Sequence, residues 1–323
     1  MRLRLLAALG VLVGVPAAAA DPSFAPPIAC RIGTDCYVQN YVDADPSPAA
    51  RDFTCGGLTY DGHKGTDIRL RTYVEMAEGV AVLAAADGTV LRLRDGMDDV
   101  SVNVVGAAAI KDREAGNSVI VDHGGGWVTQ YGHMKKGSIA VQAGQQVKAG
   151  DRLGEVGLSG NTEFPHLHFE VRHDDRPVDP FTDAAMGAGC DTTGHPLWAA
   201  PIAYVPTGLL AHGFAVTKPE ADPARHGAYA ATAPVQSSPA LVFWIDMFGL
   251  QAGDAVTLRL TGPDGAVVAE SRGAAAKPKA QYFAFAGKKA PAGGWPAGTY
   301  RGAFRVERGG RAILDDSAEI ALR

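Results

Sequence analysis

The sequence predicts an all-β (mainly β) protein of antiparallel sheet, and three observations carry that prediction. Apolar and polar residues alternate in short runs between residues 60 and 175 and again beyond residue 240, the period of two that a half-buried strand requires. Turn residues punctuate the runs, in a chain holding 40 Gly and 20 Pro among 323 residues. Helical periodicity is nearly absent between residues 60 and 175. A chain of this length can bury the cores of two domains.

In chain order, Arg2 and Arg4 precede an apolar run from Leu5 to Val15, then Pro16 and the small-residue stretch Ala17 to Ala20. That order predicts a secretory signal peptide over residues 1–20, cleaved after Ala20. The run is short for a membrane span of about 20 apolar residues. No second long apolar run follows, so a soluble periplasmic or secreted protein with no membrane span after signal cleavage is expected. Residues 21–54, with Pro22, Pro26, Pro27, Pro46 and Pro48, read as an extended lead-in. Cys30, Cys36, Cys55 and Cys190 are an even set in an exported chain and predict two disulfides. Three pairings are open. The preferred one joins Cys30 to Cys36 as a short loop and Cys55 to Cys190 as a long clamp. A net charge of −5 with no basic cluster speaks against nucleic acid as a partner.

Strands follow. A Gly-rich loop over Cys55 to Gly65 leads into a strand at Thr66 to Leu70, because four glycines there oppose a helix. Val80 to Ala85 and Thr89 to Leu93 flank Asp87-Gly88 and predict a hairpin. Asn117 to Asp122 and Trp127 to Tyr131 flank a Gly-rich turn, and Leu153 to Val156 precedes the run Phe164 to Val171. Residues 184–207, rich in Gly, Ala and Pro, form a linker. Beyond it, Ala240 to Met247, Ala255 to Thr261, Ala266 to Glu270, Ala280 to Ala286, Thr299 to Glu307 and Ala312 to Leu322 are evenly spaced strands. They suggest an immunoglobulin-like β-sandwich over residues 208–323. Trp127, Trp198, Trp244 and Trp295 read as packing residues, with an exposed binding-face position open for Trp295.

The run Phe164 to Val171 carries the chemistry. As a strand it places His166, His168 and Glu170 on one face and Leu167, Phe169 and Val171 on the other. Imidazole is the commonest protein ligand for zinc, although an isolated His-x-His is as often an exposed strand face. Two further pieces share the theme, His63 with Asp67 and His133 after Tyr131-Gly132. A catalytic zinc takes three protein ligands from His, Asp and Glu and leaves a fourth position open.

His63-x-x-x-Asp67, Tyr131-Gly132-His133 and Pro165-His166-Leu167-His168-Phe169-Glu170-Val171-Arg172 together resemble the LytM-type zinc endopeptidases, the M23 peptidase family that includes lysostaphin. The resemblance spans about residues 55–183 and leaves the C-terminal part uncovered. It implies an antiparallel sheet with a groove for an extended peptide, one Zn2+ per chain held by His63, Asp67 and His168, and catalytic work by His133 and His166. It also implies a peptidoglycan hydrolase acting on wall peptides, or, as the alternative, a non-catalytic activator of a wall amidase. Three roles stay open for the C-terminal part: binding wall polymer or a protein partner, covering the groove in an inactive form, or stabilising the chain.

Overall fold

The computed structural model describes residues 22–190, 192 and 194–323, so the expected signal peptide lies outside the described residues. The described chain is mainly β. In order it forms β1 (Cys36–Asn40), β2 (Thr66–Leu70), α1 (Tyr73–Glu78), β3 (Ala81–Leu83), β4 (Gly88–Arg94), α2 (Val102–Val105), α3 (Ala107–Ile110), β5 (Asn117–Gly124) and β6 (Trp127–Met134). Then come β7 (Gln146–Val147), β8 (Arg152–Glu155), β9 (His166–His173), β10 (Arg176–Val178), β11 (Gly208–Ala215), α4 (Ala221–Arg225) and β12 (Ala240–Leu250). The last strands are β13 (Ala255–Thr261), β14 (Val267–Ala274), β15 (Lys279–Lys289), β16 (Gly298–Arg308) and β17 (Arg311–Leu322).

An 8-stranded sheet runs β1-β2-β9-β6-β5-β4-β7, with β10 also paired to β9. Its pairings are antiparallel, and β9 sits between β2 and β6 although about a hundred residues separate it from β2. The alternation expected of β9 holds. Leu167, Phe169 and Val171 enter one apolar core with Phe24, Trp127, Tyr131 and Trp198, which leaves the histidine face for the groove. Phe169 is fully buried and meets the rings of Phe24, Tyr131 and Trp198 at 6.1, 5.4 and 5.6 Å. Burial of this kind contributes about 1.5–3 kcal/mol per large apolar side chain, so the core face fixes the register that aims the histidines.

The extended lead-in joins the large sheet, since its residues 36–40 form an edge strand and Phe24 packs in the core. Two expectations need correction. The hairpin around Asp87-Gly88 does not form, because β3 pairs with β8 while β4 pairs with β5 and β7. Asp87 accepts bonds from Lys148 Nζ and the Ala149 amide at 2.7 and 2.9 Å, holding the would-be turn against the 146–151 segment. A short helix, α1, interrupts the β pattern. Thr72 accepts the Glu75 amide while the Glu75 carboxylate accepts the Thr72 amide, a capping box written as Thr72-x-x-Glu75.

The disulfides are Cys30–Cys36 and Cys55–Cys190, the preferred pairing. In the C-terminal part a 3-stranded sheet β11-β12-β15 and a 4-stranded sheet β14-β13-β16-β17 share one apolar core. Trp295 lies in that core and donates its Nε1–H to the Ser238 carbonyl, so it offers no binding face. Tyr37 and Phe248 meet at 5.2 Å, and Tyr73 stacks on His226 at 4.0 Å, where the two parts touch.

Candidate metal centre

Register builds the site. Asp67 on β2 is opposite His168 on β9, and His168 is opposite Gly132 on β6, the residue before His133. Three side chains distant in sequence thus become neighbours through backbone pairing alone. His63 arrives from the loop before β2, whose turn is fixed by the Asp43 carboxylate accepting the Gly62 amide at 2.9 Å.

His63 Nε2, Asp67 Oδ1 and His168 Nδ1 converge. Their separations are 3.1 Å between His63 and Asp67, 2.8 Å between His168 and Asp67, and 3.3 Å between the two imidazole nitrogens. Tetrahedral zinc bonds of about 2.0–2.1 Å place ligand atoms roughly 3.3 Å apart, so these three residues fit one ion with little adjustment. Among the described residues, theirs is the group of His, Cys, Asp and Glu side chains suited to hold a metal ion.

The other imidazole atoms are committed. His63 Nδ1 donates to the Tyr41 carbonyl at 2.7 Å, His133 Nδ1 to the Ser159 carbonyl at 2.8 Å, and His166 Nδ1 to the Phe164 carbonyl at 2.9 Å. A carbonyl can only accept, so each ring keeps a proton on Nδ1 and leaves Nε2 as the nitrogen turned away from that bond. His166 Nε2 lies 3.4 Å from Asp67 Oδ1, and the rings of His133 and His166 stand 4.6 Å apart. The five predicted residues therefore meet in one place. His133 adopts φ 58°, a left-handed conformation costly for a residue with a Cβ, and is held there by Ala115 accepting its amide at 2.8 Å.

Electrostatics separates the roles. Burial alone would raise the Asp67 carboxyl, yet the imidazoles of His63, His166 and His168 hold it well below the usual carboxylate range. Burial, followed by the neighbouring His166 and His168, pushes His133 well below an ordinary imidazole, so it stays neutral and able to accept a proton. For His168, burial is outweighed by Asp67 and Glu170, which push it up to about 9. A metal must therefore displace a proton from His168 to bind. Glu170 is buried, 3.8 Å from His168 Nε2, and ion-paired with Arg172 at 2.7 Å. It lies on the same strand face as His168 and lines the groove beside it.

A groove of about 280 Å³ opens on the cluster, lined by Tyr60, His63, Glu114, His133, Asn161 and His168. Thr162 sits beside His166 Nδ1 at 3.0 Å, and Tyr131 is a core residue whose hydroxyl accepts the Ala85 amide. Sequence reasoning missed Tyr60, whose ring meets that of His63 at 4.4 Å, and Asn40, whose Nδ2 donates to Asp67 Oδ2 at 3.0 Å. It also missed the carbonyls of Tyr41, Ser159 and Phe164, which no side-chain pattern could reveal.

Residues 61–180 match peptidase family M23. Over 130 residues the chain is 32% identical to the cell division protein DipM of Caulobacter vibrioides, covering 38% of this chain and 18% of that one. It is 33% identical over 117 residues to the peptidoglycan DD-endopeptidase ShyA of Vibrio cholerae, covering 36% and 22%. A zinc-containing peptidase from Vibrio cholerae of known structure is similar at 27% identity with a TM-score of 0.29, over 44% of this chain and 39% of that one. The chain thus spans about a fifth of the length of these two curated relatives.

Proposed function

Taking residues 61–180 as a peptidase family M23 domain with a zinc-peptidase-like site, we propose that the chain is an exported, zinc-dependent endopeptidase that hydrolyses peptide bonds of peptidoglycan. The observation that carries this reading is the convergence of His63, Asp67 and His168 with two further imidazoles, those of His133 and His166, each held at Nδ1 by a backbone carbonyl. When bound, zinc supplies a Lewis acid that polarises the scissile carbonyl and acidifies water. His133, kept neutral by burial, accepts the proton of the attacking water at Nε2 and passes it to the leaving amine. His166, anchored by the Phe164 carbonyl, supplies the second nitrogen that orients water or stabilises the developing oxyanion.

The peptide substrate class is supported by the groove and by the activity of relatives such as the peptidoglycan DD-endopeptidase ShyA of Vibrio cholerae. Residues 1–20 as signal peptide, 21–54 as lead-in, 55–183 as peptidase domain, 184–207 as linker and 208–323 as an immunoglobulin-like sandwich complete the reading. Periplasmic or secreted localisation rests on that signal. Among the described residues no helix is long and apolar enough to cross a membrane. The C-terminal sandwich is the candidate surface for a wall or protein partner.

Incubating the zinc-loaded protein with purified sacculi tests the proposal, with mass spectrometry of the released material. New amine and carboxyl ends in stem or cross-link peptides are expected. Intact sacculi, together with undiminished stimulation of an amidase by His168→Ala, would instead point to the non-catalytic activator.

A further inference from the structure

The lead-in enters the sheet through a bulge, and the bulge lies beside the metal ligands. Along β1 and β2, Tyr37 is opposite Arg69 and Val38 opposite Ile68, but the next pair is Asn40 with Asp67, leaving Gln39 as the extra residue. Asp67 and Arg69 are two apart on one strand and share a face. Adjacent residues on a regular partner strand would point to opposite faces. Here both reach the same one, since Gln39 Oε1 accepts from Arg69 Nη1 while Asn40 Nδ2 donates to Asp67 Oδ2 at 3.0 Å. A bulge re-aims side chains in this way.

The bond matters because of the oxygen it takes. Asp67 offers Oδ1 to the His63 and His168 nitrogens, and Asn40 occupies Oδ2. The next residue, Tyr41, gives its carbonyl to His63 Nδ1 at 2.7 Å. Tyr41 is fully buried, and its ring lies among Phe53, Phe181 and Tyr204, so this carbonyl is held by a packed cluster. Two consecutive residues thus orient two of the three ligands. Both lie outside residues 61–180, the stretch that matches the family.

We propose that Asn40, aimed by the bulge at Gln39, is a positioning residue of the metal centre, so that the lead-in orients ligands that the peptidase domain supplies. The proposal rests on the zinc reading above. An outer partner that fixes a ligand typically changes metal affinity by about 10–100-fold when removed.

The test uses the full mature chain as Asn40→Ala and as Asn40→Leu, a side chain of similar size without the amide. Zinc dissociation constants come from competition with a chromophoric chelator, and the visible spectrum of the cobalt-substituted protein reports ligand geometry. Both variants are expected to bind zinc about 10–100-fold more weakly and to shift the cobalt bands, while the metal-free chains melt close to wild type. Asn40→Gln, which keeps the amide, is expected to recover part of the affinity. Zinc affinity within about twofold of wild type and an unchanged cobalt spectrum, in either folded variant, would overturn the proposal while leaving the metal centre standing. A wild-type chain that takes up no zinc would instead remove the reading beneath it.

Discussion

The imidazoles of His63, His133 and His166 each have Nδ1 engaged by a backbone carbonyl, and that commitment decides which nitrogen remains for chemistry. The residues that do this were legible in the sequence where side-chain type carries the chemistry, as in His63, Asp67, His133, His166 and His168. They were illegible where a carbonyl or a cross-strand amide does it, because Tyr41 O and Asn40 Nδ2 are placed by folding. Gly65 shows how tightly the ligands are seated. A Cβ there would come within 2.8 Å of the His168 ring and the Phe169 carbonyl. Gly65→Ala is therefore expected to push His168 from its place and weaken zinc binding at least tenfold, about 1.4 kcal/mol, read by chelator competition. Away from the site, Asp179 is buried with Oδ2 unpartnered, and burial pushes its carboxyl up to about 7. The unfolded chain loses this proton near pH 4 whereas the folded chain keeps it to about pH 7, so stability falls as pH rises through that window. Asp179→Asn removes the dependence. Its melting temperature should gain on wild type between pH 4 and pH 8, and an equal difference at both pH values would contradict the assignment.

Among the elements, β9 was readable because its period of two separates Leu167, Phe169 and Val171 from His166, His168 and Glu170. β1 was not, since five residues among prolines carry no such period and its pairing with β2 is a long-range choice. The hairpin at Asp87-Gly88 failed for a related reason, since the Asp87 side chain bonds the 148–149 segment and Gly88 opens β4 instead of forming a turn. The strands depend on packing that can be measured. Phe169→Ala leaves a hole among three aromatic rings and is expected to cost about 3–5 kcal/mol in denaturant unfolding. The Cys55–Cys190 bridge closes a loop of sequence separation 135 and anchors the segment that delivers His63. Replacing both cysteines by Ser should lower stability by about 3–5 kcal/mol, checked by the same unfolding curves, with Cys30–Cys36 intact.

For the molecule as a whole, the two β-rich parts were apparent in the sequence from the change in strand spacing beyond residue 240, but their contact was not. That contact reaches towards the loop before β9. His226 stacks on Tyr73, and the Tyr73 hydroxyl donates to the Glu163 carbonyl at 3.1 Å, just before Phe164 and His166. Arg225, beside His226, is locked to the buried Asp246 at 2.7 Å. The C-terminal part thereby braces the loop that holds His166. Tyr73→Ala is expected to slow sacculus cleavage by about tenfold, roughly 1.4 kcal/mol of barrier, while zinc content stays at wild-type level. Cleavage at the wild-type rate would show that this contact only joins the two parts.

The division of labour within β9 is the central claim, and zinc content measured on the same samples as sacculus cleavage tests it most directly. Wild type and His166→Ala should each carry one zinc, His168→Ala should carry none, and of the three only wild type should release wall peptides at speed. Zinc retained by His168→Ala, or wild-type cleavage by His166→Ala, would contradict it.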